Sequence, residues 1–263
     1  MMAPEILILA TTFAAGSIVG SFVALVADRW PRGEPWAAAR SRCRSCDRPL
    51  GPAQLVPLIS YAMQRGRCAW CRAPLPADLW LTEVGGGVVA LLALGTGGSG
   101  IYESGMALFG WAMFGWALFG WALVLLALLD ARHFWLPDAI TLPLIVLGLV
   151  AAAVVPQPDL LARASGAALG WGGLEALRQI WRRARGHEAL GGGDPKLLGA
   201  IGAWLGLSAL PAVVLIAALG GLGWAAIQAL RGRPAGGMTP IPLGTMLALA
   251  ALVVLGWPRI QMV

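Results

Sequence analysis

Apolar runs near or above 18 residues recur from one end of this 263-residue chain to the other, and few folds accept such a pattern. A helix rises about 1.5 Å per residue, so about 20 apolar residues cross the ~30 Å hydrocarbon layer of a bilayer. Only 12% of the residues are charged and 58% are hydrophobic, against about 25% charged in soluble domains. Disorder, a coiled coil and a nucleic-acid-binding arm are excluded on that ground. A β-barrel needs short alternating segments, which are absent. The fold class is an all-α polytopic membrane protein, with lipid as its surroundings and no nucleic-acid partner.

Eight spans are expected, at 5–27, 80–98, 106–129, 139–156, 160–180, 197–208, 211–230 and 241–257. Pro211 interrupts an apolar stretch that is too long for one helix and short for two. The chain carries 19 Lys and Arg against 13 Asp and Glu. Of the 19, all but Arg163 and Arg259 fall in connections that alternate spans place on one side. By the positive-inside rule that side is the cytoplasm, and both termini lie outside. No Lys or Arg precedes the first span, which is read as an anchor and not as a cleaved signal. Three regions follow: a first transmembrane helix at 1–27, a cytoplasmic module at 28–79 and a membrane domain at 80–263. The third span repeats Phe109-Gly110-Trp111, Phe114-Gly115-Trp116 and Phe119-Gly120-Trp121. Five residues advance about 140° around a helix, so the copies spiral and form no single face. They are expected to be lipid-facing bulk.

The 28–79 module contains all four cysteines, as Cys43-x-x-Cys46 and Cys68-x-x-Cys71 with 21 residues between the pairs. Two such knuckles suit a structural tetrahedral zinc site with four thiolates and no open position. A reducing cytoplasm disfavours disulfides. A loop of about 50 residues is too small to be held by a hydrophobic core alone, so a metal cross-link is physically motivated.

Ionisable groups at membrane depth are costly and become functional candidates. Glu83, Asp130, Asp138 and Asp194 border spans on the cytoplasmic side, and Glu175 lies within the fifth. Asp130 ends an apolar run, at the negative pole of the helix, a placement that stability alone does not favour. Asp138, in Leu136-Pro137-Asp138, is expected to cap the fourth span. Asp194 follows Gly191-Gly192-Gly193 and precedes Pro195-Lys196. Three glycines exceed what a cap requires; they free the backbone and let another chain approach, as a substrate-binding loop would. No zinc-hydrolase, Walker or dinucleotide motif competes, and neither His133 nor His187 has a nucleophile arranged around it. Paired carboxylates are the available machinery for hydrolysis. One acts on water as a base, and the other, protonated, polarises the carbonyl.

In this order the residues resemble the type IV prepilin peptidases, membrane aspartic proteases of the GxGD class. The resemblance rests on Gly20-Ser21-Phe22, Arg29-Trp30-Pro31, the two cysteine knuckles, Pro57-Leu58-Ile59-Ser60-Tyr61 and Glu83. It continues through Asp130 to Leu136-Pro137-Asp138 and through Glu188 to Gly191-Gly192-Gly193-Asp194-Pro195-Lys196-Leu197-Leu198. It implies that Asp130 and Asp194 are the catalytic pair, with Gly191, Gly192, Gly193 and Lys196 in a substrate loop. It implies zinc on Cys43, Cys46, Cys68 and Cys71. The activity implied is cleavage of the basic leader of prepilins or pseudopilins at the cytoplasmic face of the bacterial inner membrane. N-methylation of the new terminus from S-adenosylmethionine follows in many members, and here it is implied by resemblance alone. Gln54 stands where the family often has an acid, and Ile241-Pro242-Leu243-Gly244-Thr245 replaces the usual Pro-Phe-Gly-Pro. Two other classes accommodate the bare residues: a transporter relaying protons through its acids, and a non-enzymatic assembly factor whose zinc module docks a partner.

Overall fold

The structure is a computed structural model that describes residues 2–37, 40–96, 106–153, 155, 157–186, 190–232 and 242–257. Nine α-helices are described: α1 (Met2–Arg29), α2 (Ile59–Met63), α3 (Ala77–Thr96), α4 (Met106–His133), α5 (Asp138–Val150), α6 (Leu160–Arg185), α7 (Asp194–Leu205), α8 (Leu210–Leu230) and α9 (Leu243–Leu255). All but the five-residue α2 coincide with the eight expected spans. Four stretches are long and apolar enough to cross a membrane unaided: Pro4–Arg32, Ala77–Gly95, Gly110–His133 and Leu207–Leu230. The protein is therefore an integral membrane protein. The chain divides into two compact units, Met1–Leu94 and Gly95–Val263.

In the first unit, α1 and α3 meet backbone to backbone. A Cβ on Gly16 would lie 2.4 Å from the carbonyl oxygen of Gly86, and one on Gly20 would lie 2.4 Å from that of Thr82. Helices in lipid gain little from hydrophobic association, so close approach through small residues supplies the attraction instead. Glu83, almost fully buried on α3, accepts from Ser21 Oγ at 2.9 Å and from the Leu58 N–H at 2.7 Å. One carboxylate thus ties both helices to the turn that opens α2.

The second unit is built around α7, whose residues are nearly all buried. Twelve residues make about 18 Å of helix, short of a bilayer's core, so α7 is sheathed by its neighbours and touches little lipid. It packs on α6 as α1 packs on α3: a Cβ on Gly202 would lie 2.2 Å from the Gly166 oxygen. Helix α6 begins where Asp159 accepts the Ala162 N–H at 2.8 Å. It ends in Arg182, Arg183 and Arg185 ahead of Gly186, whose φ is +73°. These are cap choices that satisfy both helix poles.

Arg163, read from the sequence as a charge on the far face, is instead fully buried. Its guanidinium donates to the carbonyls of Pro158 (2.8 Å), Gly148 (3.0 Å) and Ala203 (3.3 Å). Gly148 and Ala203 lie in the last turns of α5 and α7, where carbonyls have no intrahelical donor. One side chain therefore serves two short helices that end inside the protein. The aromatic repeat also departs from expectation. Trp111 and Phe114 are exposed, whereas Trp116 and Phe119 are buried. Phe119 stacks on Trp204 with centroids 5.0 Å apart and planes 10° from parallel. The 140° advance carries successive copies from the outside of α4 to its packed face.

A side chain at Gly202 should force α6 from α7, while Gly172, with nothing within 4 Å of its Cβ position, should tolerate one. Gly202→Val is expected to lose about 2 kcal/mol or more of stability by overpacking, and Gly172→Ala to lose none. Thermal unfolding of the purified proteins in detergent checks the contrast.

Candidate active site

Three helix ends from distant parts of the chain meet in the second unit. Asp130 sits in the last turn of α4, below a face of fully buried leucines (Leu123, Leu126, Leu129). Asp194 is the first residue of α7. The first turn of α9 follows Pro242. Its earliest internal bond runs from the Met246 N–H to the Pro242 carbonyl, so the amides before Met246 have no acceptor within the helix. Two of them find one in the acids. The Thr245 N–H donates to Asp130 Oδ2 at 2.7 Å, and the Thr245 hydroxyl lies 2.9 Å from the same oxygen. The Gly244 N–H donates to Asp194. Asp194 Oδ2 also accepts the Gly191 N–H at 3.0 Å.

Both carboxyls are buried, Asp130 to 5% exposure and Asp194 to 6%. Two carboxyls withdrawn from water into one site resist double ionisation. The arrangement can hold one proton between two acids at the edge of a low-dielectric interior, as hydrolysis by a carboxylate pair requires.

Close packing brings the three ends together. Leu136, in the turn after α4, lies against both other ends. A Cβ on Gly193 would come within 2.6 Å of its Cβ, and a Cβ on Gly244 within 2.7 Å of its Cδ1. The Gly244 position is closed from a second side, 3.1 Å from Asp130 Cγ. Gly191 is tight as well, 3.1 Å from Asp194 Oδ2, whereas Gly192 is unconfined. The glycines thus serve close approach. None of Gly191, Gly192 and Gly193 has a positive φ, so the expected use of conformations closed to other residues is not found.

The capping expectation for Asp138 also fails: Pro137 is the N-cap of α5, and Gly193 holds that position in α7, one residue before Asp194. Asp138 pairs instead with Lys196, whose Nζ is 2.6 Å from both carboxylate oxygens. That ion pair fastens the start of α5 to the start of α7. Glu175 is engaged by Arg178 and Gln179 along α6, away from the acid pair's donors. Glu188 lies outside the described residues. Thr245, Gly244 and Leu136 went unrecognised as site residues in the sequence. The signal for Gly244 and Thr245 was the Pro-x-Gly-Thr start of the last span, and for Leu136 the Leu136-Pro137-Asp138 run.

The four cysteines converge in the first unit. Their sulfurs all lie within 4.8 Å of one another, and Cys43 Sγ is 3.8 Å from Cys71 Sγ. A tetrahedron with metal–sulfur bonds of about 2.3 Å has edges of about 3.8 Å, so the donor set fits a tetrahedral thiophilic ion. The two knuckles repeat one another in detail. Cys43 N–H donates to the Arg48 carbonyl as Cys68 N–H does to that of Ala73. An isolated bridge pairs Arg42 with Pro49 as another pairs Arg67 with Pro74. Asp47 and Arg72 each take a left-handed φ, of 56° and 59°.

Residues 14–96 match the bacterial peptidase A24 N-terminal domain, and residues 117–226 match the type IV leader peptidase family. A prepilin leader peptidase/N-methyltransferase from Burkholderia pseudomallei (strain K96243) is 35% identical, with 95% of this chain and 86% of the relative covered. The protein of that name from Pseudomonas aeruginosa is 32% identical over 94% of this chain and 89% of its own length. A type 4 prepilin-like proteins leader peptide-processing enzyme from Escherichia coli O78:H11 is 32% identical over 90% and 89% respectively. No solved structure gives a significant match.

Proposed function

The chain belongs to the type IV leader peptidase family, and we propose from that premise that it cleaves the leader of prepilins or pseudopilins with Asp130 and Asp194 as its acid pair. The observation that carries this reading is the convergence of the two buried carboxyls on the unpaired amides of α9. A hydrolase needs a proton acceptor for water and a proton donor for the developing oxyanion, both held before the substrate arrives. The pair supplies both. The placement of the acids at helix ends suits a peptide bond presented at the membrane surface; a proton-relay transporter calls for acids in mid-span.

In this proposal the substrate's apolar segment lies in the bilayer beside the protein, and its basic leader stays on the cytoplasmic side of the inner membrane. The Arg-rich connections orient the active site towards that compartment. Gly191, Gly192 and Gly193 form the loop along which the extended backbone passes. Lys196, braced by Asp138, holds that loop's exit. One carboxylate takes a proton from water, the resulting hydroxide attacks the scissile carbonyl, and the partner acid donates to the oxygen.

Residues 28–79 serve as a zinc-stapled module between the first anchor and a peptidase domain at 80–263. Zinc on Cys43, Cys46, Cys68 and Cys71 would close the two knuckles as a structural cross-link. N-methylation of the new N-terminus, the second activity in the relatives' names, is proposed as the following step. Its donor would be S-adenosylmethionine, as the family resemblance implies.

Wild-type membranes incubated with a prepilin-like substrate should release a shortened product, and Asp130→Asn and Asp194→Asn should release none. Equal cleavage by all three would refute the acid-pair reading. Elemental analysis of purified protein should find one zinc per chain, and Cys43→Ser with Cys68→Ser should abolish it without changing Asp130 or Asp194.

A further inference from the structure

Asp130 is held asymmetrically, and the asymmetry has a chemical consequence. Its Oδ2 faces two donors of one residue, the Thr245 amide at 2.7 Å and the Thr245 hydroxyl at 2.9 Å. A carboxylate oxygen has two lone pairs, so both are occupied when the hydroxyl points this way. The hydroxyl has one proton and a second acceptor within reach, the Ala127 carbonyl at 3.1 Å. That carbonyl is an alternative acceptor within α4, one turn before Asp130. Thr245 itself is fixed by its place in the first turn of α9, and Gly244 beside it leaves no room for a side chain.

We infer that Thr245 is a positioning residue: it saturates Oδ2 of Asp130, fixes the plane of that carboxylate, and leaves Oδ1 as the oxygen that exchanges the proton during peptide cleavage. The inference rests on the acid-pair reading and deepens it by naming the reacting oxygen and the side chain that selects it. Without the hydroxyl, Oδ2 keeps only the amide. The carboxylate can then rotate and divide its proton between two oxygens. Thr245 acts through its bonds to the acid, so KM is expected to stay near the wild-type value. The loss therefore falls on the chemical step.

The test is steady-state cleavage of a prepilin-like peptide in detergent or liposomes by the wild type, Thr245→Val and Thr245→Ser. Valine keeps the shape and the amide and removes the hydroxyl; serine restores it. The expected result is a fall in kcat of about tenfold or more for Thr245→Val, KM within about twofold of the wild type, and recovery of most of the rate in Thr245→Ser. Thr245→Ala should repeat the loss and stands in if the valine protein cannot be folded. Unchanged kcat in Thr245→Val overturns the inference. So does a rise in KM at constant kcat, which would make Thr245 a binding residue. Equal loss in the serine and valine proteins also overturns it, because packing would then be the cause. Failure of the wild type itself on a range of leaders would instead refute the peptidase reading, so the two failures are distinguishable.

Discussion

The second unit depends on a reciprocal need between buried carboxylates and the first turn of one helix. An acid withdrawn from water requires donors, and a helix that starts inside a protein has amides without acceptors. Here α9 starts at the acids. The Thr245 amide and hydroxyl meet Asp130, and the Gly244 amide meets Asp194. Each side removes the other's penalty, and the positive pole of α9 offsets the negative pole of α4 at which Asp130 sits. The same contacts set the distance between the acids. Scaffold and proposed acid pair share one set of hydrogen bonds, so the geometry of the pair is only as firm as the start of α9.

That firmness is built at the far end of α7 as well as the near one. Asp194 rides on a helix of twelve residues that is enclosed by its neighbours. Its N-terminal pole is occupied by the site, and its C-terminal carbonyls need a donor where water is scarce. Arg163 supplies it, bonding Ala203 and Gly148 while its guanidinium lies 5.9 Å from the Trp116 ring centre. A buried cation is a costly choice unless it is densely hydrogen-bonded. Three carbonyls hold its Nε and Nη1 and an aromatic face lies beside it, while Nη2 is buried without a partner among the described residues.

What could be read along the chain was what a one-dimensional pattern determines. Apolar run length places the helices, because the bilayer imposes it. The CxxC spacing places the four clustered thiols, because a knuckle is local. Asp130 stood out because it sat badly for stability alone, and Asp194 because the three glycines before it exceed what a helix cap requires. Thr245 did not, since the acid it holds is 115 residues away and a threonine at a helix start has an ordinary local explanation. Asp138 misled for the same reason in reverse. Its local explanation, a helix cap, was displaced by Lys196, a partner 58 residues on. Tertiary partners overrule local propensity where both ends are polar and the surroundings are dry. The aromatic repeat follows the same logic: its helical advance was legible, but which turn of the spiral meets Trp204 depends on α7.

The glycines join these observations, because the same physics recurs at three places in the chain. Gly16 and Gly20 meet α3, Gly166 meets Gly202, and Gly193 and Gly244 meet Leu136, each at a distance that no Cβ would permit. Lipid provides almost no hydrophobic drive for helices to associate, so stability must come from contact area and from weak polar contacts between backbones. Contact of that kind is steep in distance and resists sliding. An acid pair must keep its separation within a fraction of an ångström to share a proton and meet a scissile bond. Glycine packing gives this protein both cohesion in the bilayer and the small tolerance that the proposed acid-pair chemistry requires.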